Sequence, residues 1–222
     1  MRQTLLCLML GYLIVGCNQE DDRLCTEYWN LEKGQVSAFA RVDSQQLVFE
    51  VWNPVTPNAI ELNQTPLIGD FEVSLSVEQM LWDSLVIPQF RLEVYSEESV
   101  SGVSVNPSSF YCYVDGTEPE NRDMRIMHDP TGTILITRTA DTVRCSGDFG
   151  GVQMTYSNLF TSENLGVRLV FGSVELQPGL AAVYLSGFQA LYDNPNPPST
   201  PNSSRNFYEG VASEDRFDCQ SW

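Results

Sequence analysis

The sequence predicts an all-β protein: a sandwich or jelly roll of two antiparallel sheets. Many short stretches alternate apolar and polar residues with the two-residue period of a strand, and turn residues separate them. No long stretch shows the 3.6-residue period of an amphipathic helix. Apolar residues make up 42% of the 222 residues and aromatic residues 11%, which is enough to build a core and excludes bulk disorder. Many short strands without helices are typical of sandwiches and jelly rolls.

The first element, residues 1–16, is predicted to be a cleaved signal peptide. Arg2 precedes an apolar run from Leu5 to Val15, which is too short to span a bilayer comfortably. The run ends Leu-Ile-Val-Gly-Cys, and this resembles the lipobox of bacterial lipoproteins. The resemblance implies cleavage between Gly16 and Cys17, followed by acylation of the Cys17 thiol and of the new amine. The alternative is an ordinary secretory signal with a cysteine at this position by chance.

Residues 17–34 are predicted to be a polar tether between the lipid at Cys17 and the folded domain. Several acyl chains would anchor the chain stably in a membrane. Asn18 follows the cysteine where an aspartate would favour the inner membrane of enteric-type bacteria. We therefore expect an exported protein on the outer membrane, with its periplasmic or cell-surface side left open.

The charge balance excludes some partners. The chain has 29 acidic and 12 basic residues, a formal net charge of −17. Nucleic-acid binding requires a basic face, so nucleic acid is not expected as a partner. Electrostatic adhesion to anionic lipid is disfavoured for the same reason.

Four cysteines remain after the signal and the lipidated residue are set aside: Cys25, Cys112, Cys145 and Cys219. An even number in an exported chain predicts two disulfides, with three connectivities open. Because domain termini often lie close together, we favour Cys25–Cys219, which leaves Cys112–Cys145 between neighbouring strands.

No cofactor or metal ion is predicted. No two cysteines have the close spacing of a zinc knuckle, and His128 is the one histidine. The acidic stretch 115–123 matches no calcium-loop pattern, because Pro119 and Arg122 interrupt it, and it is interpreted as a surface loop, with a calcium site as the alternative.

The predicted domain spans residues 35–192. Its strands are expected at Val36–Val42, Gln46–Trp52, Asp70–Glu78, Gln89–Tyr95, Ser109–Val114, Met124–His128, Thr133–Arg138, Thr142–Ser146, Val152–Tyr156, Gly166–Phe171 and Ala182–Leu191. Residues 193–206 are rich in proline, asparagine and serine and predict an extended linker. The tail, 207–222, is expected to be tethered through Cys219.

Three of these segments resemble parts of the concanavalin A-like lectin/glucanase superfamily. Gly69–Ser74 resembles an early strand, Gly132–Thr139 followed by Thr142-Val143 resembles the central hairpin, and Ala182–Leu191 is similar to the final strand. The resemblance covers roughly residues 35–192 and implies a jelly-roll β-sandwich of two antiparallel sheets. The scaffold hosts lectins, hydrolases and adhesion modules, so it implies no single activity.

The sequence lacks the catalytic motifs of glycoside hydrolases, so an enzyme is not favoured. Glucanases of this superfamily carry a motif resembling Glu-x-Asp-x-x-Glu, which this sequence lacks. Glu72 and Glu78 lie roughly 20 Å apart along one strand, whereas glycoside hydrolysis needs carboxyls about 5–9.5 Å apart. His128 and Asp129 are adjacent residues, so the carboxylate is badly placed to orient the imidazole.

The predicted ligand-binding residues are Trp52, Glu50 and Glu72. Trp52 shares a strand face with Glu50, and an aromatic ring there could stack on a sugar. We therefore expect an envelope-anchored, non-catalytic surface module that binds a glycan or another envelope component. The alternatives are a glycoside hydrolase of the glucanase type with a degenerate motif, or a purely structural or assembly lipoprotein.

Overall fold

The computed structural model describes residues 29–31, 40–43, 46–52, 58–62, 67, 69–84, 86–114, 124–161, 165–173 and 179–192. Every regular element in these ranges is a β-strand, which confirms the predicted class. The strands are β1 (Trp29–Leu31), β2 (Ala40–Asp43), β3 (Gln46–Trp52), β4 (Asn58–Leu62), β5 (Phe71–Trp82), β6 (Pro88–Tyr95), β7 (Val100–Asn106), β8 (Ser109–Tyr113), β9 (Arg125–Ile126), β10 (Gly132–Thr139), β11 (Thr142–Phe149), β12 (Val152–Leu159), β13 (Gly166–Ser173) and β14 (Leu180–Tyr192). Among the described residues there is no helix of the length and apolarity that a membrane crossing requires.

The described strands form two seven-stranded antiparallel sheets. Sheet A has the order β1-β4-β13-β6-β7-β8-β9, and sheet B has the order β12-β11-β10-β5-β14-β3-β2. Half of the neighbouring pairs join strands that are not consecutive in sequence, such as β13-β6 and β5-β14, which is the long-range connectivity of a jelly-roll sandwich. The predicted fold is confirmed.

The core lies between the sheets because one side chain in two points inward along each strand. In β5, Phe71, Val73 and Leu75 are buried, while Glu72 on the opposite face is exposed. Aromatic rings fill the space between the sheets: Phe110 of sheet A and Phe149 of sheet B have ring centroids 4.7 Å apart. This interdigitation fixes which face of each strand remains outside.

Three strands were not predicted: β1, β4 and β7. β1 falls inside the segment predicted to be a tether, so the tether assignment is wrong from Trp29 to Leu31, which pair with β4. β7 alternates valines with serine and glycine, which have low strand propensity. Pairing on both edges, with β6 and β8, forms the strand in spite of that composition.

Cys112 and Cys145 are both buried and both free thiols in the structure, so the predicted disulfide is not formed there. Their strands, β8 and β11, belong to opposite sheets and contact each other across the core. The Cys145 thiol lies 3.7 Å from the carbonyl oxygen of Tyr113. Cys25 and Cys219 lie outside the described residues, as do Cys17, the stretch 115–123, the linker and the tail. For all of these the predictions stand as made.

The redox state of these thiols should appear in the pH dependence of stability. Burial raises the pKa of Cys112 from 9.0 to about 12, against a lowering by the Tyr156 backbone. Burial and the nearby Cys112 raise the pKa of Cys145 well above its ordinary value. A thiol with a raised folded-state pKa contributes stability that is complete below its unfolded pKa and is lost as the pH rises toward the folded value. We expect the reduced protein to lose up to about 1.4 kcal/mol per pH unit for each thiol above roughly pH 9.

Urea unfolding of the reduced protein between pH 8 and pH 10 measures this slope. The matched control is the Cys112→Ala, Cys145→Ala double variant, which should show a flatter profile over that range. Oxidation with diamide should flatten the wild-type profile if the thiols then form the bridge. An equal decline in wild type and double variant would contradict the assignment to these two thiols.

Candidate functional site

The polar cluster with the most buried charge lies on the outer face of sheet A, on its central strand β6. Phe90, Leu92 and Val94 of β6 fill the core. The alternation of the strand therefore places Arg91 and Glu93 on the opposite, outer face. Neighbouring strands add further polar groups to this face, and we define the Glu93 cluster as Arg91, Glu93, Tyr95, Tyr113 and Arg168.

The Glu93 carboxylate is wholly buried and fully partnered. Its Oε1 accepts a hydrogen bond from the Tyr113 hydroxyl at 2.6 Å and lies 2.9 Å from Nη1 of Arg91. Its Oε2 accepts a hydrogen bond from Nε of Arg168 at 2.5 Å. These are short, charge-assisted contacts, and they compensate the cost of burying the charge.

Two glycines make this geometry possible. Gly102 of β7 lies between Glu93 and Tyr113 in the register of the sheet. A Cβ there would lie 2.3 Å from the carbonyl oxygen of Leu92 and 2.9 Å from the Tyr113 hydroxyl oxygen. Without a side chain at this position, Tyr113 reaches across β7 to the carboxylate.

The second glycine, Gly166 of β13, lies opposite Tyr95. A Cβ there would lie 2.6 Å from atoms of the Tyr95 ring, so the ring occupies the space that a side chain would need. The guanidinium carbon of Arg168 lies 4.6 Å from the centroid of that ring, a cation–π distance. The aromatic ring therefore fixes Arg168 against Glu93.

Burial fixes the protonation states within the cluster. Burial of the hydroxyl, and then the charge of Glu93, raise the pKa of Tyr113 well above its ordinary value. Near neutral pH the phenol therefore stays protonated and donates a hydrogen bond to the carboxylate. Burial lowers the pKa of Arg168, but the charge of Glu93 and its hydrogen bond raise this pKa by more, so the net effect is a raised pKa. The cluster is thus a permanent array of donors around one carboxylate, and it does not present a phenolate base.

A second row of outer-face residues lies across the sheet beside the row that contains Glu93. The register places Val170 of β13, Arg91 of β6, Ser104 of β7 and Tyr111 of β8 side by side. Nε2 of Gln89 donates to the Tyr111 hydroxyl at 3.4 Å. The Ser104 side chain is 1% exposed, and its hydroxyl has no hydrogen-bond partner.

The ligand-binding residues predicted from the sequence lie on the other sheet and are not brought together. Glu50 is exposed on β3 and Glu72 is exposed on β5. Through β14, Glu50 pairs with Ala182 and Glu72 with Leu191, which separates them by roughly 30 Å along the strand. The backbone of Trp52 continues β3, and its side chain lies outside the described part of the structure. Glu50 and Glu72 therefore cannot line a single site.

His128 and Asp129, the adjacent pair weighed as catalytic residues, lie on the surface. The Asp129 carboxylate accepts hydrogen bonds from the backbone N–H of Thr131, at 2.9 Å, and from the Thr131 hydroxyl. These bonds, the hydroxyl's first, lower the pKa of Asp129. Asp129 therefore stabilises a turn. Within the described ranges, no three histidine, cysteine or acidic side chains gather as a metal site would require.

An open depression on the outer face of sheet B is the competing location. Its lining is Thr133, Leu135, Ser146, Gly147, Asp148, Gln153, Met154 and Thr155. The amide of Gln153 donates to the Asp148 carboxylate at 2.7 Å, so the two most polar groups bond to each other. The lining has no cation, and its chemistry is that of an ordinary hydroxyl-rich sheet face.

The sequence does carry a signal for the Glu93 cluster. Charged residues at 91 and 93 alternate with Phe90, Leu92 and Val94, and Tyr111 and Tyr113 alternate in the same way with Cys112. What the sequence could not supply was the pairing of β13 with β6 and the pairing of β8 with β6 through β7, a strand that had not been predicted.

Comparisons with known proteins show the fold. The sequence matches no family model and no curated protein. Among solved structures, the chain is similar to alginate lyase A1-II′, a member of polysaccharide lyase family 7, at 12% identity and a TM-score of 0.53, over 75% of this chain and 95% of that one. It is similar to an endo-acting O-glycanase of the human gut microbiota at 10% identity and a TM-score of 0.56, over 76% and 94%. It is also similar to a legume lectin-like domain from Entamoeba histolytica at 7% identity and a TM-score of 0.52, over 76% and 91%. At these identities the likeness establishes a jelly-roll β-sandwich that is found among glycan-acting proteins.

Proposed function

We propose that this chain is an exported, lipid-anchored module that binds a glycan on the outer face of sheet A, around the Glu93 cluster. One observation carries the proposal: a wholly buried carboxylate is held by two arginines and a tyrosine on the outside of a sandwich sheet. An ion cluster of this kind is costly to bury and contributes little net stability. A binding face is a physical reason to keep it.

The chemistry of this face suits sugars. Tyr95, Tyr111 and Tyr113 are each partly exposed and lie around the two arginines. Tyrosine rings pack against the C–H patches of a pyranose, while hydroxyl and guanidinium groups hydrogen-bond with its oxygens. The similar structures named above include polysaccharide- and mucin-acting proteins and a lectin-like domain, which supports a glycan as ligand. The anchor is proposed from the lipobox resemblance at Cys17.

Replacing Tyr111 by alanine should weaken glycan binding at least about tenfold, because a central aromatic contact of a binding face is worth about 1.4 kcal/mol or more. The matched control is Tyr184→Ala on β14, a partly exposed tyrosine on the outer face of sheet B. Calorimetric titration of the detergent-solubilised full-length protein with neutral, uronate-containing and mucin-type glycans measures the affinities.

Two results would contradict the proposal. One is the absence of binding to every glycan class. The other is an affinity loss that is equal in the two variants or confined to Tyr184→Ala. Assaying the same mixtures for newly formed sugar ends separates a binding module from an enzyme that cleaves what it binds.

A further inference from the structure

We infer that the ligand is an acidic glycan, and that Arg91 and Ser104 form the subsite for its carboxylate. The inference rests on the proposed function and specifies the substrate class of the same face. It follows from an asymmetry between the two arginines and from one unpartnered hydroxyl.

Arg168 is held between the Glu93 carboxylate and an aromatic ring. Its Nε donates to Glu93, and its guanidinium lies against the Tyr95 ring. In the sheet register it sits between Glu61 of β4 and Glu93 of β6, so an acid flanks it on both sides. Arg168 therefore positions Glu93 and has an acidic residue beside it on each neighbouring strand.

Arg91 is in a different position. It lies between Val170 and Ser104 in the register, so neither cross-strand neighbour carries a charge. Its side chain is 29% exposed, and among the described residues its ion pair is a single contact of Nη1 with Glu93 at 2.9 Å. A guanidinium has five N–H donors in a planar fork. Arg91 therefore retains donors and shares a carboxylate that already has two other partners.

Ser104 is the second half of the subsite. It lies directly beside Arg91 on β7, and the alternation of the strand turns it to the outer face, because Val103 and Val105 are in the core. Its hydroxyl is buried without a partner, whereas buried hydroxyls are nearly always hydrogen-bonded. In the register Ser104 is the direct neighbour of Arg91, and because its hydroxyl is covered in the structure, a ligand carboxylate held by Arg91 must displace the side chains over it to accept its hydrogen bond.

The group that suits both donors is a carboxylate. It is planar, negative and acceptor-only, so it can take two N–H bonds from the guanidinium fork and an O–H bond from the serine. A neutral sugar hydroxyl could accept a hydrogen bond from Arg91 but would form no ion pair with it. The net charge of −17 would repel an acidic polymer in general, so binding must come from a local cationic point such as this one.

Calorimetric titration of the full-length protein compares a polyuronate with the same polymer after chemical reduction of its carboxyls to primary alcohols. We expect the polyuronate to bind at least tenfold more tightly. Arg91→Gln should reduce this preference to about onefold. Ser104→Ala should weaken polyuronate binding about fivefold without lowering the melting temperature, since the hydroxyl that it removes has no partner. Arg144→Gln, at an exposed arginine on the outer face of sheet B, is the matched control and should change neither affinity.

The outcomes separate this inference from the proposed function. Equal binding of the polyuronate and its reduced form overturns the inference and leaves the glycan-binding face standing, whereas binding of neither overturns both. A preference for sialylated oligosaccharides that Arg91→Gln removes supports the carboxylate subsite with sialic acid as its source. Equal affinity for a sulfated galactan and the polyuronate overturns the choice of carboxylate. If Arg91→Gln fails to fold, Ser104→Ala decides: an unchanged polyuronate affinity overturns the subsite.

Discussion

Replacing Glu93 by alanine is expected to lower the free energy of unfolding by about 3–5 kcal/mol. The substitution leaves the side chains of Arg91 and Arg168, each 29% exposed, without the anion that both of them contact. The Tyr113 hydroxyl loses its acceptor in the same step. An uncompensated buried charge costs far more than an intact pair contributes, so the loss should approach the upper limit for a single substitution.

Urea unfolding at pH 7 measures this loss. Glu72→Ala is the matched control, because Glu72 lies on the outer face of a central strand of sheet B but is exposed, and its change should stay within about 0.5 kcal/mol. Glu93→Gln keeps the shape and one acceptor and should fall between the two. A loss below about 1 kcal/mol for Glu93→Ala would mean that the arginines are solvated independently of Glu93.

The second large effect concerns the membrane anchor. Changing Cys17 to alanine is expected to abolish incorporation of labelled fatty acid and to release the protein from the membrane fraction, because the thiol is the acceptor of the diacylglyceryl group in the lipobox reading. Cys7→Ala, inside the signal peptide, is the control and should leave labelling intact. Label that persists on Cys17→Ala, or a wild-type protein without label, would contradict the lipoprotein assignment and leave an ordinary secretory signal.

The fold could be predicted because its causes are local. In β5 the inward positions Phe71, Val73 and Leu75 alternate with Glu72, so the face that enters the core is legible without the structure. A strand can be recognised from the alternation of apolar and polar residues over a few positions, and for this reason most strands could be located in the sequence. β7 could not, because valine is interrupted there by serine and glycine and only pairing on both edges stabilises the strand.

The arrangement of the Glu93 cluster could not be predicted for a related reason. Glu93 and Tyr113 lie twenty residues apart, and their hydrogen bond crosses Gly102 of β7. The need for a glycine at this position can be recognised only once β7 is known to lie between β6 and β8. Arg168 reaches the same carboxylate from a strand 75 residues away in sequence. The predicted residues Glu50 and Trp52 were chosen from the pattern of a single strand. The order of strands in the sheet, which brings distant segments together, decides where a site forms. Register of this kind depends on global topology.

Amide chemical-shift mapping of the bound glycan tests the central claim most directly. Isotope-labelled protein is titrated with a polyuronate, and the perturbed amides are assigned to the two sheets. We expect the largest perturbations on β6, β7, β8 and β13, centred on Arg91, Glu93 and Ser104, and no change on β10, β11 and β12. Perturbations concentrated on Thr133, Ser146 and Thr155 would place the ligand on sheet B and contradict the assignment of the binding face.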